Sequence, residues 1–133
     1  MSTGKFLLDT SALLAYIEDE QGADRVEEIL NQEHVLLPWA ALMEVYYMTI
    51  REKGQHEAEN RYAMLKHSSA EILWTMSEAC LLRAANLKSQ FRLSFADAII
   101  AAYAIQASAI LVHKDPEYES LVDQLEMEAL PYK

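Results

Sequence analysis

The sequence is poor in the residues that make tight turns and cross-links. Its 133 residues include only three glycines and three prolines, which disfavours an all-β fold and favours helices joined by short loops. Cys80 is the only cysteine, so no disulfide can form within the chain and no zinc-finger spacing exists. Cys80 lies in a helical pattern, where a small buried hydrophobe is the expected role.

Positive charge is also scarce. Eleven Lys and Arg stand against 21 Asp and Glu, giving a formal net charge of -10 and a pI of about 4.7. Because most nucleic-acid-binding proteins are basic, this disfavours simple electrostatic attraction to RNA or DNA. The charge suits acids gathered around a cation, a basic partner, or merely an ordinary acidic surface.

Long apolar runs are absent. The longest, 98–112, is interrupted by Gln106 and Ser108 and is too short to span a bilayer. The first twenty residues include Asp9, Glu18 and further acids, and they lack the apolar core of a signal peptide. We therefore expect no membrane association and a cytoplasmic location.

Short apolar runs alternate with helical patterns, which predicts βαβ units and a parallel sheet. The fold class expected is a three-layer α/β/α, Rossmann-like domain with four to five strands, formed by residues 1–133 as one domain. Strands are predicted at 6–8, 34–38, 70–75 and 110–113, with an optional fifth at 126–130. Helices are predicted at 10–18, around Val26–Leu30, and at 39–53, 55–67, 77–90 and 94–108, with a last helix opened by Asp115 and Pro116.

Two acids occupy helix faces that are otherwise apolar. Asp97 is the only charged residue between Leu93 and Val112, and an unpaired buried carboxylate is costly, which favours a functional or metal-binding role. The alternative is an Asp near a helix start that pairs with Ser94 and first-turn amides. Glu44 also has small or apolar helical neighbours, and its alternative is a surface pair with Arg51, two turns further on.

Two further acids follow predicted strands. Asp9 comes directly after the first strand and Asp115 directly after the fourth, and ligands of parallel sheets lie at that end of the strands. Taken singly, each is equally well explained as a helix N-cap. All four acids together are tenable in one cavity when divalent cations neutralise them, and oxygen ligands select Mg²⁺ or Mn²⁺.

The chain resembles the PIN-domain family, and within it the VapC-type toxins of toxin–antitoxin pairs. The likeness covers essentially the whole chain and rests on four segments in order: FLLDTSALLAYI, LPWAALMEVYY, RLSFADAIIAAYA and ILVHKDPEYESL. It implies a clustered acidic metal site at Asp9, Glu44, Asp97 and Asp115, and it makes Ser11 a support for the first acid. His113 stands where relatives usually have Thr, so it either hydrogen-bonds metal-bound water, donates to phosphate, or fills space.

The resemblance implies an Mg²⁺- or Mn²⁺-dependent endoribonuclease that hydrolyses RNA with metal-activated water. In that scheme Asp9 and Asp97 bind the metal directly, Glu44 binds or positions a water, and Asp115 acts at a second ion or through water. Basic residues near the site are candidates for phosphate contacts: Arg51, Lys114 and Arg92.

A cognate antitoxin and a homodimer are also implied. The antitoxin tail would enter a groove lined by the first helical hairpin, whose apolar residues are alternatively core: Leu13, Leu14, Tyr16, Ile17, Val26 and Ile29. Aromatic residues serve either the dimer interface or the core: Trp39, Tyr46, Tyr47 and Trp74. The rival function is a catalytically silent scaffold that only binds a protein or RNA. A receiver domain and an Asp-x-Asp phosphatase are disfavoured, because Asp9 has no acidic neighbour and position 11 is Ser.

Overall fold

The computed structural model describes residues 4–132 and contains a five-stranded sheet in which every pairing is parallel. The strands are β1 Lys5–Leu8, β2 His34–Pro38, β3 Glu71–Leu73, β4 Ile110–His113 and β5 Met127–Ala129. Their order across the sheet is β3-β2-β1-β4-β5. The predicted α/β class and parallel sheet are confirmed, and the optional fifth strand is present.

Helices connect and flank the strands. They are α1 Thr10–Ile17, α2 Ala23–Gln32, α3 Trp39–Lys53, α4 Gln55–Lys66, α5 Glu78–Gln90 and α6 Phe95–Ala107. The last predicted helix is instead a 3-10 helix, Pro116–Leu121. Its six residues are capped by Asp115 and begin with Pro116, and 3-10 turns are frequent in connections between longer elements.

The middle of the sheet forms the centre of the core. Leu7, Leu8, Leu111 and Val112 are all 0% exposed, and Leu7 is in register with Leu36 on one side and Leu111 on the other. Such near-continuous apolar runs are typical of parallel strands covered by helices on both faces. The edge strands β3 and β5 are shorter and only partly buried.

The strand order changes direction between β1 and β4. From β1 the chain builds outward through β2 and β3, then returns to add β4 on the opposite side of β1. Ligands of open parallel sheets lie at such a switch point, beyond the carboxyl ends of the strands. Asp9 follows β1, and Lys114 and Asp115 follow β4. This topology therefore brings Asp9 and Asp115 to the switch point.

A buried ion-pair network joins the helices beside this switch point. Arg61 of α4 is only 7% exposed; it donates to Glu18, Glu57 and the Thr49 hydroxyl. The guanidinium therefore ties α4 to α3 and to the end of α1, and its buried charge is hydrogen-bonded as burial requires. Within residues 4–132, no helix is both long and apolar enough to cross a membrane.

Candidate functional site

Asp9 is held rigidly at the start of α1. Its side chain is 1% exposed; Oδ1 accepts hydrogen bonds from the Ala12 amide at 2.8 Å and from the Ser11 hydroxyl at 2.7 Å. The backbone amide of Asp9 donates to the carbonyl of Val112 in β4 at 3.1 Å. Asp9 is therefore the N-cap of α1, as the alternative explanation predicted. Its carboxylate also lies at the switch point of the sheet.

The carboxyl of Asp9 is electrostatically strained. Its pKa is raised from 3.8 to about 7. Burial is the largest cause, the charges of Asp97 and Asp115 add to the rise, and the hydrogen bonds from Ala12 and Ser11 oppose it. These causes show that three of the four predicted acids act on one another in the folded chain. A cation among them would remove both the desolvation penalty and the repulsion.

Asp97 lies in the first turn of α6, capped by Ser94. Its Oδ1 accepts a hydrogen bond from the Tyr118 hydroxyl at 3.0 Å. Burial raises the pKa of Asp97, and so do the charges of Glu44 and Asp115, while the Tyr118 and Ser94 hydrogen bonds lower it. The predicted pairing with Ser94 is therefore present at the Asp97 amide. The Asp97 carboxylate nevertheless lies in the acidic cluster.

Glu44 reaches the same cluster from α3. Its Oε1 accepts from the Thr10 hydroxyl at 2.6 Å, and its Oε2 from the Tyr47 hydroxyl at 3.4 Å. The alternative of a pair with Arg51 is not borne out, because the Arg51 guanidinium lies 5.0 Å from the centre of the Tyr47 ring instead. Glu44 is therefore held by hydroxyls beside Asp97.

Asp115 brings a further acid with it. Its Oδ1 accepts from the Glu117 amide at 2.9 Å and so caps the 3-10 helix. One carboxylate oxygen each from Asp97, Asp115 and Glu117 lie within 4.8 Å of one another. Glu117 was not predicted from the sequence; the signal available was an acid two residues beyond Asp115, on the same short turn.

Ser11 joins the two loops that form the site. Its hydroxyl donates to Asp9 and accepts from the Lys114 amide at 2.8 Å, which fits the predicted supporting role. The ammonium of Lys114 contacts Glu20 and the Gln21 carbonyl. That ammonium is therefore already engaged in contacts outside the acidic cluster.

His113 is packed into the core, with 1% of its surface exposed. Its Nδ1 accepts a hydrogen bond from the Asp115 amide at 3.1 Å, and its ring centre lies 4.9 Å from that of Tyr118. Burial lowers its pKa despite the nearby Asp115 and Glu119 charges. These contacts favour the space-filling alternative for His113 over a contact with water or phosphate.

The donor set fits a hard divalent cation. The groups that converge are carboxylates, and within residues 4–132 the candidate ligand cluster contains neither His nor Cys. Oxygen ligands of this kind suit Mg²⁺ and Mn²⁺. Each carboxylate oxygen has more than one lone pair, so the hydrogen bonds to Asp9 and Asp97 leave capacity for a cation.

A groove of about 550 Å³ borders the site between α1 and α3. Its walls include Leu14, Met48 and the acids Glu18, Glu20 and Glu52. The predicted groove residues divide into two groups. Leu14, Tyr16 and Ile17 are partly exposed, whereas three residues have 0% exposure and follow the core alternative: Leu13, Val26 and Ile29. The pattern of α1 and α2 also gave no sign that α3 supplies the opposite wall.

A second surface, which we call the apolar face, is formed by α3, the start of α6 and Trp74, which follows β3. Large side chains are exposed there, including Met43 at 61%, Trp74 at 54% and Phe95 at 75%. Cavities along it are lined by the predicted interface aromatics Trp39, Tyr46, Tyr47 and Trp74. Neighbouring large apolar side chains that are exposed together are typical of protein-binding surfaces.

Comparisons with known proteins agree with this architecture. The family model of the PIN domain matches residues 6–123, and no curated protein matches the chain. A chain of VapBC2 from Rickettsia felis, solved bound to a DNA fragment from its promoter, has a TM-score of 0.77 at 17% identity over 96% of this chain and 99% of its own.

Two more solved structures share the fold. VapBC-1 from nontypeable Haemophilus influenzae has a TM-score of 0.73 at 17% identity, covering 94% of this chain and 97% of its own. VapC20 from Mycobacterium tuberculosis, a toxin that cleaves the sarcin-ricin loop, has a TM-score of 0.69 at 13% identity, covering 86% and 93%.

Replacing Asp9 by Asn should stabilise the metal-free protein at pH 8 and much less at pH 5. The pKa of Asp9 in the folded protein, about 7, lies above its ordinary value of 3.8. Between those values the native state binds a proton that the unfolded chain has lost, so wild-type stability falls as the pH rises through them. At about 1.4 kcal/mol per pKa unit, we expect a gain of roughly 2–4 kcal/mol at pH 8. Asn retains the N-cap.

The measurement is urea denaturation in EDTA at both pH values, with the exposed Asp123→Asn as the matched control. A difference between Asp9→Asn and wild type that is unchanged from pH 5 to pH 8 would contradict the electrostatic account.

Proposed function

Because residues 6–123 match the PIN domain family, to which the chain therefore belongs, we propose that it is an Mg²⁺- or Mn²⁺-dependent endoribonuclease acting as the toxin of a toxin–antitoxin pair. The observation that carries this proposal is the acidic cluster beyond β1 and β4, where oxygens of Asp97 and Asp115 lie within 4.8 Å of each other. The charges of both acids also raise the pKa of Asp9, and the charge of Glu44 raises the pKa of Asp97. We further propose that residues 1–133 work as one PIN domain in the cytoplasm, and recovery of the protein in a membrane fraction would contradict that location.

A divalent cation, when bound, supplies a more acidic water and neutralises charge on the phosphodiester. Asp9 and Asp97 would hold it, because hydrogen bonds fix both carboxylates and the charge of Asp97 acts on Asp9. Asp115 and Glu117 would complete a second position, since their oxygens lie near that of Asp97. Preset ligands of this kind bind without the cost of ordering several side chains.

Glu44 has a different environment and a different role in the proposal. Thr10 holds its Oε1, and its charge acts on Asp97. A carboxylate fixed next to the metal ligands can accept a hydrogen bond from the attacking water and orient it toward phosphorus. We therefore assign Glu44 to water positioning.

Binding of RNA by so acidic a chain needs local positive charge. A bound cation provides it at the scissile phosphate, and Arg51 is the basic side chain that α3 presents two turns beyond Glu44. Its guanidinium lies over the Tyr47 ring, 5.0 Å from the ring centre, rather than in an ion pair. Arg51 is accordingly our candidate for contact with a neighbouring phosphate.

Asp97→Asn should abolish metal-dependent RNA cleavage while leaving the metal-free protein at least as stable as wild type. Loss of a ligand should lower cleavage by roughly two orders of magnitude or more, since even residues that only support metal ligands cost 10–100-fold. The assay follows cleavage of a structured RNA pool over an Mg²⁺ and Mn²⁺ titration, with melting temperature measured on the same samples.

The exposed Glu27→Gln of α2 is the control for loss of one negative charge. If wild type neither cleaves RNA nor gains stability from either cation, the endoribonuclease proposal fails and the silent scaffold replaces it. A scaffold would bind RNA or protein equally well with Asp or Asn at position 97.

We propose that an antitoxin docks in the groove between α1 and α3. Structures with this fold include VapBC complexes, and the groove has the chemistry for an apolar, basic segment. Leu14 and Met48 supply apolar surface, while Glu18, Glu20 and Glu52 supply negative charge. Because the groove adjoins Ser11, an occupant would also cover the approach to Asp9.

Reversing one groove charge should weaken this complex. Glu52→Lys should lower affinity for the product of an adjacent small open reading frame by roughly tenfold or more, through lost complementarity. Glu78→Lys on α5 is the matched control. Calorimetry of the purified pair measures the affinity, and equal affinities for the two variants would exclude this groove.

The homodimer proposal concerns the apolar face. Phe95→Glu should convert a dimer to a monomer, because burying an unpaired carboxylate in an interface costs more than a typical contact contributes. Val122→Glu, at a residue 69% exposed outside this face, is the control. Light scattering after gel filtration gives the mass, and a wild-type monomer would refute the dimer.

A further inference from the structure

A tyrosine lies beneath the acidic cluster, and the proposed function does not yet use it. Tyr118 is 0% exposed, and its hydroxyl donates to Oδ1 of Asp97 at 3.0 Å. The charges of Asp9, Asp97 and Asp115 all act on this phenol. The hydroxyl therefore lies in the midst of the carboxylates, although it belongs to the 3-10 helix that follows β4.

The rest of Tyr118 is fixed by the protein. Its amide donates to the carbonyl of Asp115 at 3.1 Å, and its ring packs on the buried His113 ring. His113 in turn accepts from the Asp115 amide. The phenol is thus positioned by the same short segment that carries Asp115, and it reaches across to α6.

Packing alone does not require the phenolic oxygen. A phenylalanine would fill the same space, and a buried hydroxyl without a partner is unfavourable. Burial, together with the adjacent acids, raises the pKa of Tyr118 well above its usual range, so the hydroxyl remains a neutral donor at any physiological pH. The oxygen is therefore explained by its bond to Asp97.

We propose that Tyr118 is a positioning residue for the metal centre: its hydroxyl holds Oδ1 of Asp97 and leaves the second oxygen, Oδ2, to bind the cation. This inference rests on the proposed function. The terminal torsion of an Asp side chain is broad, so without the hydroxyl both oxygens of Asp97 sample several orientations. The bond also sets the spacing between Asp97 on α6 and the acids Asp115 and Glu117.

The test compares the Mn²⁺ affinity of Tyr118→Phe with that of wild type. Calorimetry measures the affinity, and the electron paramagnetic resonance signal of free Mn²⁺ measures it independently. We expect binding 10–100-fold weaker than wild type, the range for partners that orient metal ligands. Cleavage at saturating Mn²⁺ should return to within a few-fold of wild type, since the ligands themselves remain. A structural role alone would lower melting temperature without moving Mn²⁺ affinity.

Tyr103→Phe is the matched control. Tyr103 is also a buried tyrosine, 7% exposed, but its hydroxyl donates to the Thr75 carbonyl and accepts from Trp39. Its loss should leave Mn²⁺ affinity unchanged. In an Asp97→Asn background, Tyr118→Phe should have little further effect, because the bond partner of the hydroxyl is already altered.

Equal Mn²⁺ affinity of wild type and Tyr118→Phe would overturn the positioning role while leaving the nuclease proposal intact. If wild type binds Mn²⁺ but does not cleave RNA, the nuclease proposal fails. The Mn²⁺ affinities of wild type and Tyr118→Phe then still decide whether Tyr118 positions a metal ligand. If Tyr118→Phe does not fold, tyrosine difference absorbance on adding Mg²⁺ to wild type decides. A signal that Asp97→Asn lacks supports the role, and no signal refutes it.

Discussion

Repulsion among carboxylates held at one point of the sheet is the constraint on which the rest of the site depends. The charges of Asp97 and Asp115 raise the pKa of Asp9, and the charge of Asp115 raises the pKa of Asp97, yet the fold keeps the three carboxylates together. It does so with fixed hydrogen bonds from hydroxyls and amides, such as Ser11 to Asp9 and Thr10 to Glu44. The core of β1 and β4 supplies the stability that opposes this repulsion.

Much of the fold follows from local pattern. The central strands are continuous apolar runs, as strands buried on both faces must be, and the capping serines Ser77 and Ser94 mark helix starts. Prediction was weaker at the sheet edges. The third strand was expected over 70–75 but spans Glu71–Leu73, because an edge strand is set by its one neighbour rather than by its own hydrophobicity.

Sequence alone singled out a site residue only where a charged side chain interrupted an otherwise apolar helical pattern. Asp97 stands out because its helix is apolar, whereas Glu117 and Tyr118 fit a short solvent-facing turn and give no such conflict. Their proximity to Asp97 comes from contacts between α6 and the 3-10 helix, which periodicity cannot reveal. The same limit applies to the groove, since an amphipathic helix shows its apolar side without showing whether that side meets the core or a partner.

The apolar face also extends to the rim of the acidic site. Glu44, Ser94 and Phe95 line one cavity of about 460 Å³ on that face, and Phe95 lies two residues before Asp97 on the same helix. A molecule that covered the apolar face would therefore lie against Glu44 and against the turn of α6 that carries Asp97, so occupation of that face and the surroundings of these two carboxylates are physically linked.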